Sequence, residues 1–142
     1  MDLNQLIVFN LGNEEYGINI SFAKEIVRIP QITKVPNMPA FMEGIIDLRG
    51  QVIPIVDPKK KFGFAQTERG IDSKLLILDL EGMNLGVIVD DVSEVVNISE
   101  NALEKLSGKM AAIGGKSIEG IYKIDERLIL LINALEFKNE IF

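Results

Sequence analysis

Residues 7–29 recur, without a gap, in residues 76–98, and no other feature limits the possible folds of this chain as much. Setting Ile7 against Leu76 pairs Leu11 with Leu80, Gly17 with Gly86, Glu25 with Glu94, Val27 with Val96 and Ile29 with Ile98. Ile18 and Val87, Ile20 and Val89, and Ile26 and Val95 match in character. After seven extra residues in the second copy, Glu43-Gly44-Ile45 meets Glu119-Gly120-Ile121 and Ile53 meets Ile129. A duplicated unit predicts two similar lobes. Each copy reads as about five short strands, with lobe one at roughly 14–72, lobe two at roughly 73–138, and the strand at 5–11 free to cross between them. Short strands with glycine turns suit small closed barrels, because closure removes exposed edges.

The strands are legible one by one. Gln5 to Leu11 and Tyr16 to Ile20 are apolar runs separated by Gly12-Asn13, a hairpin signal. Ser21 is placed to cap a short helical turn through Ala23 and Lys24, after which Ile26, Val27 and Ile29 form a strand that ends at Pro30. Pro36 and Pro39 break the next stretch into a loop whose apolar content is Val35, Met38, Phe41 and Met42. In the second copy the strands are Leu75 to Leu80, Leu85 to Val89 and Val92 to Ile98. A helix capped by Ser99 is expected through Leu106, then loose turns at Gly108, Gly114 and Gly115, then strands from Ser117 to Ile124 and from Arg127 to Ile132.

The copies differ most in one hairpin. In Gly44–Gly63 two β-branched runs flank Asp47-Leu48-Arg49-Gly50. Gly50 can adopt the positive φ of a two-residue turn, and Asp47 can accept from nearby amides. Arg49 is thereby held outward. The second copy carries Ile124-Asp125-Glu126 at that place, so the apolar framework is kept and the charged turn is not. Lys59-Lys60-Lys61 reads as a short solvated loop.

Composition removes most catalytic chemistry. The chain has no cysteine and no histidine, which excludes disulfides, thiolate nucleophiles, ordinary zinc sites and histidine acid–base catalysis. Asp90 and Asp91 are neighbours on an extended chain and point to opposite faces, a poor arrangement for a carboxylate pair. No phosphate loop or nucleophile elbow is present. No enzyme activity, cofactor or metal is expected. The formal charge of −6 repels a phosphate backbone, so nucleic acid is not an expected partner. No run approaches the length of a membrane span, which predicts a cytoplasmic protein without direct membrane insertion. Ala23, Ile26 and Val27 correspond to Val92, Val95 and Val96. These read as two apolar stripes meeting about a pseudo-twofold axis, with a groove able to take a partner helix. A small-ligand or oligonucleotide-binding β-barrel is the alternative reading, and a carboxylate hydrolase comes third; few aromatic residues and net negative charge weigh against the former.

The segments LGNEEYGINI, PAFMEGIIDLRGQVIPIVD, FG and GVIVDDVSEVV, in that order, resemble the CheW family of chemotaxis coupling proteins. The similarity runs from Leu6 to about Ile98 and continues more weakly through GIYKIDERLILLIN. The resemblance implies an all-β fold of two five-stranded barrels around a shared hydrophobic core, with a few short helices. It implies a non-enzymatic adaptor that couples the cytoplasmic tip of methyl-accepting chemoreceptors to the regulatory domain of the histidine kinase CheA, recruited to membrane-bound receptor clusters. A chain of 142 residues without kinase or receiver segments suits the free-standing coupling protein. By the same resemblance, the receptor would contact Ala23, Glu25, Ile26, Val27, Arg49, Val92 and Val95, and the kinase Met38, Phe41, Met42 and Ile45. Asp47 and Gly50 would serve the turn. Asp47 departs from the family's usual Asn and adds a negative charge beside Arg49; Pro58-Lys59 stands where Leu-Arg is common.

Overall fold

The computed structural model describes residues 4–65, 68–99, 103–105 and 117–142. Its strands follow the expected rhythm: β1 (Asn4–Leu11), β2 (Glu14–Asn19), β3 (Ala23–Arg28), β4 (Met42–Leu48), β5 (Gln51–Val56), β6 (Lys74–Leu80), β7 (Met83–Val89), β8 (Asp91–Ile98), β9 (Leu103–Lys105), β10 (Ile118–Ile124) and β11 (Arg127–Ile132). Two helices, α1 (Pro58–Lys61) and α2 (Ala134–Ile141), complete the described elements with a 3-10 turn at Ile20–Phe22. The fold is all-β in two sheets with few helices.

The chain divides into two compact units, and the division is not sequential. One unit joins Met1–Phe22 to Val92–Phe142; the other is the continuous stretch Ala23–Asp91. The boundaries expected at about 14, 73 and 138 differ from these because strand pairing, not repeat membership, sets the units. The sheet of the continuous unit runs β3-β6-β7-β5-β4, so the first two strands of the second copy lie among the last three of the first. The other sheet runs β8-β1-β2-β11-β10-β9 and has the reciprocal composition. Each copy thus places its leading hairpin in one unit and its remaining strands in the other.

The exchange is made through a parallel pair in each unit. Leu131 on β11 lies beside Gly17 on β2, and Ile55 on β5 lies beside Gly86 on β7. These are corresponding positions of the two copies, which explains the paired glycines. A Cβ on Gly17 would stand 3.1 Å from Ile129 Cγ2 and from Leu6 Cδ1; on Gly86 it would stand 2.4 Å from Ile55 Cδ1. Glycine is present because neighbouring side chains occupy the space a Cβ would need.

Each unit has its own core. In the continuous unit Ile46, Ile53, Ile55, Leu75, Ile77 and Ile88 are buried together, with Val27, Ile29, Ile32 and Leu48 packed on them. In the other, Leu6, Val8, Tyr122, Ile129 and Leu131 are buried, with Val96, Ile98 and Ile124 against them. The ladders do not close into full barrels among the described residues. In the continuous unit no ladder among the described residues pairs the end strands β3 and β4; the chain that follows β3 meets β4 where Thr33 pairs with Ile45 in a single antiparallel bridge, 2.8 Å in each direction. Gly44 permits this approach: its φ is +139°, and a Cβ there would lie 2.2 Å from the Thr33 carbonyl oxygen.

Three local expectations are revised, and two helix starts join them. Asn19, not Ser21, serves the turn after β2, its Oδ1 accepting from Ser21 N at 2.9 Å, and β3 begins at Ala23. Leu103–Lys105 is a strand, so no helix runs from Ser99 through Leu106; the turns at Gly108, Gly114 and Gly115 lie outside the described residues. Asp57 and Asn133, corresponding residues, each start a helix. Asp57 Oδ1 accepts from Lys59 N at 2.9 Å and Asn133 Oδ1 from Glu136 N at 3.1 Å, while their own amides donate to the carbonyls of Phe41 and Ser117. Finally, Lys59 is not solvated. It is 4% exposed, and its Nζ donates to Asp90 Oδ1 at 2.8 Å and to the Glu68 carbonyl at 2.9 Å. The first turn of α1 points Lys59 inward, and the buried ammonium is satisfied by a carboxylate and a carbonyl.

Candidate functional site

The β4–β5 turn is built from backbone geometry upward. Leu48 pairs with Gln51, leaving Arg49 and Gly50 as a two-residue loop. Both are left-handed, at φ 52° and 85°, as a type I′ hairpin requires. Asp47 Oδ1 accepts from Gly50 N at 2.9 Å. The same construction recurs between β6 and β7, where Asp79 Oδ1 accepts from Gly82 N at 2.9 Å and Glu81 and Gly82 are left-handed. Asp47 and Gly50 are therefore general turn chemistry. Arg49 and Glu81 both take the position that favours glycine or asparagine, so what sets Arg49 apart is its exposed guanidinium and the carboxylate it meets.

Arg49 remains 66% exposed at its side chain and pairs with the carboxylate of Glu25 on β3. Asp47, occupied by the turn amide, does not take it. The sequence-predicted residues Glu25 and Arg49 are thus brought together by the fold, although 24 residues separate them. In the other unit, Glu94, the counterpart of Glu25, also meets an arginine of the adjacent hairpin. Arg127 NH2 lies 2.5 Å from Glu94 and 2.6 Å from Glu15, and its Nε donates to Glu15 at 3.0 Å. These bonds hold the Glu15 carboxyl below the usual carboxylate range and raise the guanidinium above its own. Arg127 is absent from the sequence-based set; the match of Glu25 to Glu94 was the available signal for it.

The remaining candidates separate by strand face. Along β3, Ala23, Glu25 and Val27 are half-buried while Lys24, Ile26 and Arg28 are exposed. The single stripe of Ala23, Ile26 and Val27 expected from spacing does not form, because successive residues of a strand face opposite ways. Val27 packs on the core of its unit and Ile26 is 43% exposed. On β8 of the other unit, Val92 is half-buried and Val95, the counterpart of Ile26, is 48% exposed.

Met38, Phe41, Met42 and Ile45 are all half-buried in the continuous unit. The chain there turns at left-handed Asn37 and again where Met42 N donates to the Pro39 carbonyl at 2.9 Å. Lys61 Nζ sits 5.9 Å from the centre of the Phe41 ring. Met38 and Met42 line a recess of about 260 Å³ with Val35, Pro39, Glu43 and Lys60. Glu43 holds both Lys60 at 2.7 Å and Arg69 at 2.6 Å, one carboxylate between two cations. Among the described residues no group of three or more acidic, histidine or cysteine side chains is placed to hold a metal ion.

Comparison with known proteins gives a consistent set. The family model described as "CheW-like domain" matches residues 5–140. A chemotaxis protein CheW of Treponema pallidum (strain Nichols) is 32% identical over 133 residues, covering 91% of this chain and 78% of that protein. The chemotaxis protein CheW of Bacillus subtilis (strain 168) is 29% identical over 130 residues, covering 92% and 83%. The crystal structure of the scaffolding protein TtCheW from Thermoanaerobacter tengcongensis superposes with a TM-score of 0.86 at 39% identity, covering 93% of this chain and 90% of that one.

Proposed function

We propose, from the premise that this chain belongs to the CheW-like domain family, that it is a non-enzymatic chemotaxis adaptor that couples transmembrane chemoreceptors to the histidine kinase CheA. The family is one of scaffolding proteins, and the activity to be explained is binding, not turnover. No helix among the described residues is long and apolar enough to cross a membrane. The adaptor's place at receptor clusters would come from its partners.

The observation that carries this reading is Arg49. An exposed arginine is held at the tip of a tight turn, and the carboxylate it meets among the described residues, Glu25, is itself accessible at 27%. An exposed pair of this kind adds little to stability, about 0–1 kcal/mol. Stability gives little reason for the pair, which leaves the guanidinium open to a partner that competes for it. We assign receptor contact to Arg49 and Glu25 with exposed Ile26 on the continuous unit, and to Val92 and Val95 on the other, alongside the half-buried Ala23 and Val27 that support β3. Kinase contact is assigned to the loop carrying Met38, Phe41 and Met42, with Ile45 beneath it.

The test is reconstitution with a receptor signalling fragment and CheA. Arg49→Ala should leave the thermal midpoint within a few degrees of wild type, while receptor co-sedimentation and receptor-dependent kinase activation fall together. Unchanged assembly and unchanged kinase control would overturn the assignment of Arg49. A Met42→Glu variant should instead lose CheA while keeping the receptor fragment.

A further inference from the structure

On the continuous unit, Ile71 is 99% exposed. A side chain in a disordered tip would need no account, but this one is on a closed turn: Ser73 N donates to the Gly70 carbonyl at 3.2 Å, and Gly70 N to Ser73 Oγ at 3.0 Å. The turn thus presents a bare isoleucine. Beside it lies an open recess of about 670 Å³, lined by Arg28, Ile29 and Pro30 and by the segment from Arg69 to Lys74, in which Asp72 supplies a carboxylate and Arg69 is paired with Glu43.

The charges around the recess are unusual for an acidic chain. Arg28 on β3 and Lys74 on β6 are directly opposed in the antiparallel ladder, so two cations share one face of the sheet at its edge. Like charges so placed destabilise a strand pair. Lys74 Nζ donates to the Asp72 carbonyl at 3.0 Å, which leaves its charge in place, and among the described residues Arg28 makes no ion pair. Nine of the fifteen Lys and Arg residues lie within 23–91, so this unit is much less acidic than its companion.

We propose that Ile71 with the Arg28–Lys74 edge is a docking surface for an acidic protein segment that carries an apolar anchor. The anchor packs on Ile71, Ile29 and Pro30, and its flanking carboxylates relieve the repulsion between Arg28 and Lys74. The recess is concave, which suits a peptide better than a flat anionic bilayer. Arg28, Ile71 and Lys74 belong neither to the residues assigned to the receptor nor to those assigned to the kinase, and the test uses neither partner.

The full-length protein is titrated with three labelled helical peptides: one with Glu flanking two leucines, one with Lys in place of Glu, and one with Ser in place of Leu. A fourth arm uses vesicles with and without phosphatidylserine. The acidic, leucine-bearing peptide should bind best, and its binding should weaken between about 50 mM and 500 mM salt. Ile71→Ser and Arg28→Glu should each weaken it about tenfold. Arg28→Glu should also raise the thermal midpoint, since it turns a repulsive cross-strand pair into an attractive one; that readout is independent of any ligand. Equal binding of all three peptides, no effect of either substitution, binding to anionic vesicles alone, or a lowered midpoint for Arg28→Glu would overturn the proposal.

Discussion

Asp57 does at the start of α1 what Asn133 does at the start of α2: each accepts from an amide two or three residues on. The difference is charge. Asp57 is buried, and burial is the main reason its carboxyl is pushed above the usual aspartate range, although the Lys59 amide opposes the shift. A carboxyl whose folded pKa is raised binds its proton more tightly in the fold than in the open chain. Its contribution is therefore fully present below the unfolded pKa and is lost as pH rises through the folded one. Asp57→Asn keeps the cap and removes this loss, so in denaturant titrations it should match or exceed wild type at neutral pH, with the difference vanishing in acid. Asp57→Ala should lose about 1 kcal/mol at neutral pH, since the cap itself is gone. At this scale residue types told part of the story. Asp47 and Gly50 are identifiable as turn residues because turn chemistry is local. Lys59 is not identifiable as buried, because its partners Asp90 and Glu68 come from other parts of the chain.

Among the elements, all the described strands except Leu103–Lys105 were readable almost to their ends, since alternation and glycine turns depend on adjacent residues. Their faces were less so: β3 carries Ile26 and Val27 side by side, and only packing reveals that Val27 is the one turned to the core. Gly86 and Gly17 make the element-scale argument quantitative. Both sit where a parallel strand crosses close, but the missing Cβ of Gly86 would meet Ile55 at 2.4 Å, against 3.1 Å to the nearest atoms at Gly17. Gly86→Ala should destabilise by about 1–3 kcal/mol, as overpacking of a filled core does. Gly17→Ala should cost less, because its neighbours need to give way by only a few tenths of an ångström. Equal losses in chemical denaturation would contradict this packing account.

For the molecule as a whole, the exchange of leading hairpins decides which pieces can stand alone. The stretch Ala23–Asp91 contains a complete five-stranded sheet and a core cluster of its own. A fragment of residues 23–91 should therefore give a dispersed amide spectrum. The fragment 1–72, which is one whole sequence repeat, should not: its β1–β2 hairpin lacks β11 and β8, and its β3, β4 and β5 lack β6 and β7. Folding of 1–72 with native-like dispersion would show that pairing within a repeat suffices. The sequence alone determined the duplication, the hairpin turns and every described strand except Leu103–Lys105, all of which follow from residue pattern over a few positions. It also determined that Arg49 stands in a turn. Only the tertiary structure decided which hairpin joins which sheet, that Glu25 receives Arg49, and that Lys59 is buried. The physical reason is that backbone ladders carry no record of side-chain identity. Two similar copies offer the same local pattern to either partner, so the choice between pairing within a copy and pairing across copies rests on non-local packing, at contacts such as Gly17 with Ile129 and Gly86 with Ile55.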